Sequence, residues 1–280
     1  MAESVVCGLC PHHCSLAEGA IGYCRARANH GGRIVSLNYG CLTALAMDPI
    51  EKKPLRRFHP HSFILSVGSF GCNMRCPFCQ NYTISQQGRT DMAGHTRQVL
   101  PDELVGLAGE LHRSEGNLGV AFTYNEPLVG YEYVYDCAVK LKEAGLAVVL
   151  VTNGQIEPEP LARLLPFVDA MNIDIKGFSE DFYRWAGGSL ACARATLEAA
   201  VGAGVHVEAT TLVIPGRNDS MEDMVRETGW LASLSPDIPL HLSRYFPRYQ
   251  LRTDPTPRAT LQELSTIARR RLKYVYLGNI

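Results

Sequence analysis

Short apolar runs alternate with amphipathic segments over most of the chain. Each run is rich in Val, Ile, Thr or aromatic residues and is bounded by Gly, Pro, Asn or Asp, as is typical of buried parallel strands. Six runs have this character: SFILSVGSF (62–70), LGVAFTYNE (118–126), LAVVLVTNG (146–154), DAMNIDIKG (169–177), HVEATTLVIPG (206–216) and PLHLSRYF (239–246). The terminal KYVYLGNI (273–280) is a candidate seventh strand.

Helical patterns fill the spaces between these runs. Residues 101–113 open with Pro and two acids and repeat leucine at spacings of three and four. Residues 130–145 end at a glycine, and residues 220–234 follow an Asn-Asp-Ser start signal. Alternating strands and helices predict an α/β fold, most simply a partial (β/α)6 barrel of the TIM-like kind.

The composition is that of an ordinary globular protein, since 46% of the 280 residues are hydrophobic and 20% are charged. The 27 basic side chains nearly balance 28 acidic ones, giving a net charge of -1. This balance argues against a nucleic acid or an anionic membrane as the partner. No apolar run approaches the ~18 residues of a membrane-spanning helix.

Cysteine usage separates the first part of the chain from the rest. Eight of the ten cysteines fall within the first 79 residues. The N-terminus does not have the pattern of a secretory signal, so we interpret these cysteines as reduced thiols for metal binding in a cytoplasmic protein. We therefore predict a small cysteine-rich N-terminal extension over residues 1–60 and a barrel domain over residues 61–280.

Three cysteines follow the first predicted strand directly. In GCNMRCPFCQN, Cys72, Cys76 and Cys79 have the spacing C-x3-C-x2-C. Barrels of this class carry their active sites at the C-terminal ends of the strands. Three thiolates from one loop can hold three corners of an iron-sulfur cube and leave one iron open, whereas structural zinc takes four ligands. A zinc site completed by a distant histidine, or three buried cysteines without metal, are the alternatives.

A second group of cysteines lies near the N-terminus. Cys7, Cys10, Cys14 and Cys24 supply four soft ligands within 18 residues. Such a set can close a tetrahedral zinc site or hold a second iron-sulfur cluster, and the spacing does not decide between them. Free thiols are the remaining alternative.

The C-x3-C-x2-C triplet with Phe78 before its third cysteine resembles the signature of the radical S-adenosylmethionine (SAM) superfamily. Over nearly the whole chain, CGLCPHHC, DPIEKKP, FTYNEP and VLVTNG extend the resemblance. They indicate the pyruvate formate-lyase activating enzyme-like branch and, within it, the radical SAM enzyme of the AmmeMemoRadiSam system. Members of that group continue past the LGN segment into another cysteine pair.

The resemblance implies a 4Fe-4S cluster whose open iron binds SAM. Reductive cleavage of SAM would then yield a 5′-deoxyadenosyl radical, which removes a hydrogen atom from a substrate that the sequence does not identify. A reductant such as flavodoxin or ferredoxin is implied as a partner, with a protein or a small molecule as the substrate. Two other functions remain open, an RNA-modifying radical SAM enzyme and a non-enzymatic zinc-binding interaction protein.

Polar residues at the ends of later strands are candidates for the cofactor site. Asn125 and Glu126 offer acceptors for the ammonium group of SAM, with a helix N-cap as the alternative. Asp174 and Lys176 are two residues apart in a predicted strand, so both would point into the barrel. The resemblance implies that they lie beside SAM and substrate. An ion pair of purely structural use is the alternative there. The predicted cofactor-binding residues are Phe78, Asn125, Glu126, Thr152, Asn153, Asp174, Lys176 and Ile214.

Several of these assignments have a plain structural alternative. Thr152 and Asn153 suit either the cofactor or a tight βα turn. Ile214 belongs to a segment that resembles the one packing against adenine in this branch, with a Pro-Gly turn as the alternative. His241 is interpreted as a buried core histidine rather than a cofactor contact. The basic stretch of Lys52, Lys53, Arg56 and Arg57 is interpreted as a solvated face rather than a docking site.

Overall fold

Strands form the framework of the fold in the computed structural model, which describes residues 4–280. In chain order the strands are β1 (Val5–Val6), β2 (Ser15–Leu16), β3 (Arg27–His30), β4 (Arg33–Ser36), β5 (Cys41–Leu42), β6 (Ala44–Pro49), β7 (Phe63–Gly68), β8 (Arg97–Gln98), β9 (Asn117–Phe122), β10 (Ala147–Thr152), β11 (Ala170–Asp174), β12 (His206–Val213), β13 (Leu240–Arg244) and β14 (Val275–Gly278). Eight of them form one sheet in the order β14-β13-β12-β11-β10-β9-β7-β6. The other strands pair as β1 with β2, β3 with β4 and β5 with β8.

Helices connect the parallel strands. They are α1 (Tyr82–Ser85), α2 (Pro101–Glu115), α3 (Tyr131–Glu143), α4 (Pro158–Leu164), α5 (Glu180–Ala186), α6 (Leu190–Gly202), α7 (Met221–Leu234) and α8 (Arg258–Ala268), with 3-10 turns at Ile50–Lys52, Pro127–Gly130 and Leu165–Phe167. The predicted start signals are used: Pro101 is the first residue of α2, and the Ser220 hydroxyl accepts the Asp223 amide at 3.1 Å as α7 begins.

The predicted α/β fold with a partial TIM-like barrel is confirmed. The six predicted strands are β7, β9, β10, β11, β12 and β13, and the candidate seventh is β14; all neighbours among them pair in parallel. The barrel therefore has seven parallel strands rather than six. Most of these strands stop before the end of the apolar run that predicts them, because the last polar residues of the run leave the sheet. Those residues form the loops at its C-terminal edge.

The eighth strand of the sheet comes from the segment that we assigned to the N-terminal extension. β6 runs antiparallel to β7, with registers from Ala44 against Gly68 to Pro49 against Phe63. Its sequence ALAMDP contains Ala, Asp and Pro, which are depleted in strands, so no local pattern predicts this pairing. The boundary at residue 60 stays a prediction, and residues 1–3 of the extension lie outside the described residues.

Polar side chains are buried inside the barrel. Thr210 and His241 line an internal cavity, and Asn172 and Glu208 are hydrogen-bonded to them. All four are less than a tenth exposed. Burying polar groups is costly unless each is hydrogen-bonded, and these four residues form hydrogen bonds with one another. A polar inner face of this kind indicates a binding site inside the barrel. No helix within residues 4–280 has the length and apolar character needed to span a membrane.

Candidate active site at the carboxyl ends of the strands

A cavity of about 590 Å³ lies at the carboxyl ends of the parallel strands and reaches into the barrel. This volume is in the range of small-molecule and cofactor sites. The loops after β7, β9, β10 and β11 supply most of its polar lining. The predicted site residues that line it are Cys72, Cys76, Phe78, Cys79, Asn125, Glu126, Thr152, Asn153, Asp174 and Lys176. Residues separated by more than 100 positions in sequence therefore meet in one place.

The three cysteines follow β7 on a loop that is held by backbone contacts. Gly71 has a φ of +87°, and a β-carbon there would lie 2.7 Å from the carbonyl oxygen of Cys24. Only glycine fits this conformation and this close approach. The Cys72 sulfur accepts the Met74 amide at 3.3 Å, and the Cys79 sulfur lies 3.0 Å from the Ser85 hydroxyl. These contacts hold the loop in a conformation in which all three cysteines line the cavity.

Two thiols of this loop, those of Cys72 and Cys76, are strongly desolvated. Burial raises the pKa of Cys76 to about 12 and that of Cys72 well above its ordinary value. Both thiols therefore carry protons at neutral pH. Because a metal is bound by the thiolate, loading a metal centre here must release protons and will be favoured by higher pH.

Phe78 fixes the loop against helix α5. Its ring lies 5.9 Å from Phe182 and 5.5 Å from Trp185, and Phe78 is 4% exposed. Aromatic contacts of this kind stabilise the packing by more than the buried area alone would. The side chain therefore anchors the segment between Cys76 and Cys79 while it lines the cavity.

Asn125 ties the beginning of the cysteine loop to the end of β9. Its Oδ1 accepts the Ser69 amide at 2.9 Å, and its Nδ2 donates to the carbonyl oxygens of Phe70 at 3.2 Å and Gly71 at 3.0 Å. These bonds use the acceptor and both donors of the amide group. Asn125 therefore positions the cysteine loop, and its predicted contact with a cofactor stays a prediction.

Glu126 joins the ends of β9 and β10. Its Oε1 accepts the Leu128 amide at 3.0 Å and the Thr152 hydroxyl at 2.7 Å, while Oε2 accepts the Asn153 amide at 2.7 Å. Burial nevertheless outweighs these bonds and raises the pKa of Glu126 to about 7. A carboxylate has about four acceptor positions, so one position on Oε2 is left for a cationic group in the cavity.

Asn153 contacts the cysteine loop directly. Its Nδ2 donates to Asn73 Oδ1 at 3.0 Å and approaches the Cys72 sulfur at 3.6 Å. A donor beside a metal-binding sulfur orients that ligand and tunes the electron density on it. Asn153, which directly follows β10, thus connects the end of that strand to Cys72.

Asp174 and Lys176 form an ion pair at the wall of the cavity. Lys176 Nζ lies 2.8 Å from Asp174 Oδ2. Burial alone would lower the pKa of Lys176, but the adjacent Asp174 carboxylate and the Cys76 sulfur outweigh it and raise the pKa. Strand β11 ends at Asp174, so Lys176 belongs to the following loop and not to the strand that we predicted over 169–177. Both side chains line the cavity, and their predicted place beside a cofactor stays a prediction.

Ile214 is placed differently from the other predicted residues. It is fully buried after β12 and does not line the cavity, whereas Leu212 and Thr210 of the same strand do. Its amide donates to Asn218 Oδ1 at 2.7 Å, which closes the turn before α7. A role of Ile214 toward a cofactor stays a prediction.

A buried network of Asp48, Lys53 and Tyr124 was missed by the sequence analysis. Lys53 Nζ lies 2.8 Å from Asp48 Oδ2, which also accepts the Tyr124 hydroxyl at 2.6 Å. Lys53 lines the cavity and is 2% exposed, so its assignment to a solvated basic face is wrong. Burial of the Lys53 ammonium group is tolerated because it contacts the Asp48 carboxylate and the Tyr124 ring. The short spacing from Asp48 to Lys53 was the available signal.

Glu208 organises the inner end of the cavity. Its carboxylate accepts the amides of Arg56 and Arg57 at 3.0 and 2.7 Å and lies 3.0 and 2.6 Å from the imidazole nitrogens of His206 and His241. Burial alone would raise the pKa of Glu208, but these hydrogen bonds lower it to about 2. His241 is 6% exposed and lines the cavity, so it is buried as expected, while the choice between a core residue and a cofactor contact stays a prediction.

We predict that Glu208→Gln lowers the free energy of unfolding at pH 7 by about 3 kcal/mol. The folded pKa of about 2 is below the ordinary value of 4.5. The charged carboxylate therefore stabilises the fold above pH 4.5, and this contribution disappears as the pH falls toward 2. Urea unfolding of wild type and variant at pH 7 and pH 3 measures it, with the exposed Glu263→Gln as the control. A difference that is equal at both pH values would contradict the prediction.

The four N-terminal cysteines lie apart from the main cavity. Cys7, Cys10 and Cys24 are 7%, 8% and 7% exposed, and Cys14 is partly exposed. Within residues 4–280, no group of three His, Cys, Asp or Glu side chains is drawn together as it would be around a single metal ion. Both cysteine sets therefore stay predicted ligands at this point.

A family model and two curated relatives match this chain. The Radical SAM superfamily matches residues 66–228, more than half of the chain. An uncharacterized protein of Methanocaldococcus jannaschii is 41% identical over 282 residues, covering 99% of this chain and 82% of the relative. A second protein of that organism, named "Putative glycyl-radical enzyme activating enzyme", is 28% identical over 38% of this chain and 40% of its own length.

Solved structures share the fold at low sequence identity. A domain of pyruvate-formate lyase-activating enzyme from Bacteroides vulgatus has a TM-score of 0.50 at 19% identity, over 57% of this chain and 99% of that domain. A radical SAM methyltransferase from Sphaerobacter thermophilus has a TM-score of 0.56 at 20% identity, over 79% and 67%. SuiB of Streptococcus suis, bound to S-adenosylmethionine, has a TM-score of 0.57 at 13% identity, over 77% and 51%. These likenesses show a common fold.

Proposed function

The chain belongs to the radical SAM superfamily, and from that premise we propose that it is an enzyme that binds a 4Fe-4S cluster through Cys72, Cys76 and Cys79. When bound, the cluster and SAM supply the chemistry, which is reductive cleavage of SAM and abstraction of a hydrogen atom from a substrate. Membership of the family implies both cofactors. The protein's own contribution is to hold them, orient them and keep water away.

One observation carries the proposal: the three cysteines of a single loop line the same cavity as the polar ends of the next three strands. Three thiolates satisfy three of the four irons in a cubane cluster. The remaining iron then needs a ligand that is not a cysteine of this loop, and the amino and carboxylate groups of SAM have that capacity. The desolvated thiols beside polar side chains fit this donor set.

The neighbouring residues supply complementary charges for SAM. Glu126 has one acceptor position left for the methionine ammonium group, and Asp174 places a carboxylate where a sulfonium cation would be stabilised. Lys176 keeps that carboxylate in place, because its Nζ lies 2.8 Å away. Asn153 orients the first cysteine sulfur. We assign these four residues as the SAM-positioning set of the proposed enzyme.

At a finer level we propose an activating enzyme of the glycyl-radical type, closest in character to the radical SAM enzyme of the AmmeMemoRadiSam system. The name of the second M. jannaschii relative and the sequence motifs CGLCPHHC and DPIEKKP support this assignment. The one-electron donor would be flavodoxin or ferredoxin in the cytoplasm. The substrate would be a protein or a small molecule that reaches the cavity from the carboxyl ends of the strands.

The test is to incubate anaerobically reconstituted protein with SAM and dithionite and to quantify methionine and 5′-deoxyadenosine by mass spectrometry. We expect the two products in equal amounts, because each cleavage releases one of each. The same protein loaded with zinc instead of iron is the control and should form neither. A brown preparation with full iron and sulfide that forms no 5′-deoxyadenosine would refute the proposal. Transfer of deuterium from a labelled candidate into 5′-deoxyadenosine then identifies the substrate.

A further inference from the structure

Four cysteines lie in the short N-terminal segment from Cys7 to Cys24, and three of them are buried. Cys7 and Cys14 are drawn together by the antiparallel ribbon of β1 and β2, in which the Cys7 amide donates to the Cys14 carbonyl oxygen at 3.0 Å. All ten cysteines are free thiols, so no disulfide accounts for the burial of this group. Thiols are weak hydrogen-bonding groups, and four of them in one short segment are not needed to fill a core.

A backbone amide contacts one sulfur atom of this group: the amide of Tyr23 donates to the Cys14 sulfur at 3.5 Å. A similar contact occurs in the loop of the proposed cluster, where the Cys72 sulfur accepts the Met74 amide at 3.3 Å. Such N–H groups stabilise a thiolate far more than a thiol, as expected of metal ligands.

A buried cation lies beside the group with one donor unused. The Arg27 side chain is paired with Glu132 through its two terminal nitrogens at 2.7 and 2.6 Å. Among the described residues, its Nε has no oxygen or nitrogen partner, although Arg27 is only 6% exposed. The sulfur of Cys7 is its neighbour, and both residues line a cavity of about 210 Å³. An unpaired buried donor is costly unless an anionic group forms beside it.

We propose that Cys7, Cys10, Cys14 and Cys24 bind one thiophilic metal centre, a zinc ion or an iron-sulfur cluster, and that this centre fixes the loop of Cys72. Four thiolates around such a centre carry net negative charge, which the free Arg27 donor would meet. Among the described residues the sulfurs are not drawn around a single point.

The link to the loop of Cys72 is made by direct contacts. The Cys72 amide donates to the Cys24 carbonyl oxygen at 3.2 Å. His12 Nε2 lies 2.8 Å from the Asn73 carbonyl oxygen, and the Arg75 guanidinium lies over the Tyr23 ring at 4.2 Å. Every one of these contacts starts from a residue inside or next to the four-cysteine segment. Ordering that segment therefore orders the first ligand of the proposed catalytic cluster.

The first experiment uses the variant in which Cys72, Cys76 and Cys79 are all replaced by alanine, purified without oxygen. Metal analysis and acid-labile sulfide are measured on this protein, so the result does not depend on the proposed function. About one zinc per chain supports a zinc site, and about four iron with sulfide supports an iron-sulfur cluster. Less than a tenth of either stoichiometry would overturn the metal site.

The second experiment compares Cys10→Ser/Cys24→Ser with the control Cys41→Ser, all other cysteines being intact. We expect the double variant to lose the N-terminal metal and to assemble severalfold less cluster on Cys72, Cys76 and Cys79, while the control is unchanged. Retention of the N-terminal metal would overturn the ligand assignment. Loss of that metal with an unaltered cluster content and unaltered electron paramagnetic resonance spectrum would overturn the structural link.

A third measurement avoids variants that fail to fold. Wild-type protein is alkylated before and after treatment with a strong chelator, and the modified cysteines are located by mass spectrometry. We expect Cys7, Cys10, Cys14 and Cys24 to be protected before chelation and to be modified together afterwards. Equal modification before and after chelation would refute the metal site, whatever the state of the proposed catalytic cluster.

Discussion

Replacing any one of Cys72, Cys76 and Cys79 by alanine is expected to abolish reductive cleavage of SAM. Each cysteine supplies one thiolate, and a cubane cluster with only two protein ligands is not held. 5′-Deoxyadenosine formation should fall below the detection limit of the assay, and the iron content should fall by the share that this loop binds. Both are measured after anaerobic reconstitution, by metal analysis and by mass spectrometry of the products.

Cys137→Ala is the matched control for this series. Cys137 is fully buried in α3, away from the cavity, so its removal tests the loss of a buried thiol without the loss of a proposed ligand. We expect this variant to retain its iron and its cleavage activity. If a single alanine variant of the triplet kept wild-type iron content and dithionite-dependent cleavage, the ligand assignment would be wrong.

Asp174→Asn is expected to leave the cluster assembled and to weaken SAM binding about tenfold or more. The substitution keeps the shape of the side chain but removes the charge that faces Lys176 Nζ at 2.8 Å. A hydrogen bond to a charged group contributes about 1.5 to 3 kcal/mol, which corresponds to about a tenfold to hundredfold change in affinity. Titration of SAM into the reconstituted variant, followed by electron paramagnetic resonance, measures the change.

The alternative for this pair is a purely structural ion pair. Breaking a fully buried pair costs on the order of 3 to 5 kcal/mol. The Asp174 and Lys176 side chains are 29% and 18% exposed, so solvent screening reduces that cost. A structural role predicts reduced folding stability with unaltered SAM affinity in the soluble fraction. Asp181→Asn, which breaks an exposed pair with Arg184, is the control and should change neither quantity. A wild-type response at wild-type SAM concentration would refute the cofactor-site assignment.

Much of the fold was predictable because its signals are local. Pro101 favours a helix start through its fixed backbone angle, and Ser220 does so through its capping hydroxyl. The apolar runs indicate strands through their composition. The position of the cysteine triplet after the first strand was predictable for the same reason. Parallel strands joined by helices place their carboxyl ends at one edge, so the meeting of several predicted site residues in one cavity followed from the order of elements.

The contacts inside the barrel were not predictable from local patterns. Tyr124 reaches Asp48 across 76 positions of sequence, and Glu208 reaches His241 across 33. The sequence around Lys53 is that of an exposed residue. Its burial depends on partners that come close only in the folded structure. The pairing of β6 with β7 depends in the same way on the exposed edge of β7 rather than on the weak strand propensity of residues 44–49.

The class of fold, the location of the cysteine triplet and the polar residues at the strand ends follow from the amino-acid sequence. They depend on spacing and periodicity, which act within a few residues. The assembled barrel was needed to show that Ile214 is buried outside the cavity lining, that Lys53 lines the cavity, and that the Cys72 amide donates to the Cys24 carbonyl oxygen. The reason is that burial and hydrogen-bond partners are properties of the assembled barrel, where distant segments compete for the same space and the same donors.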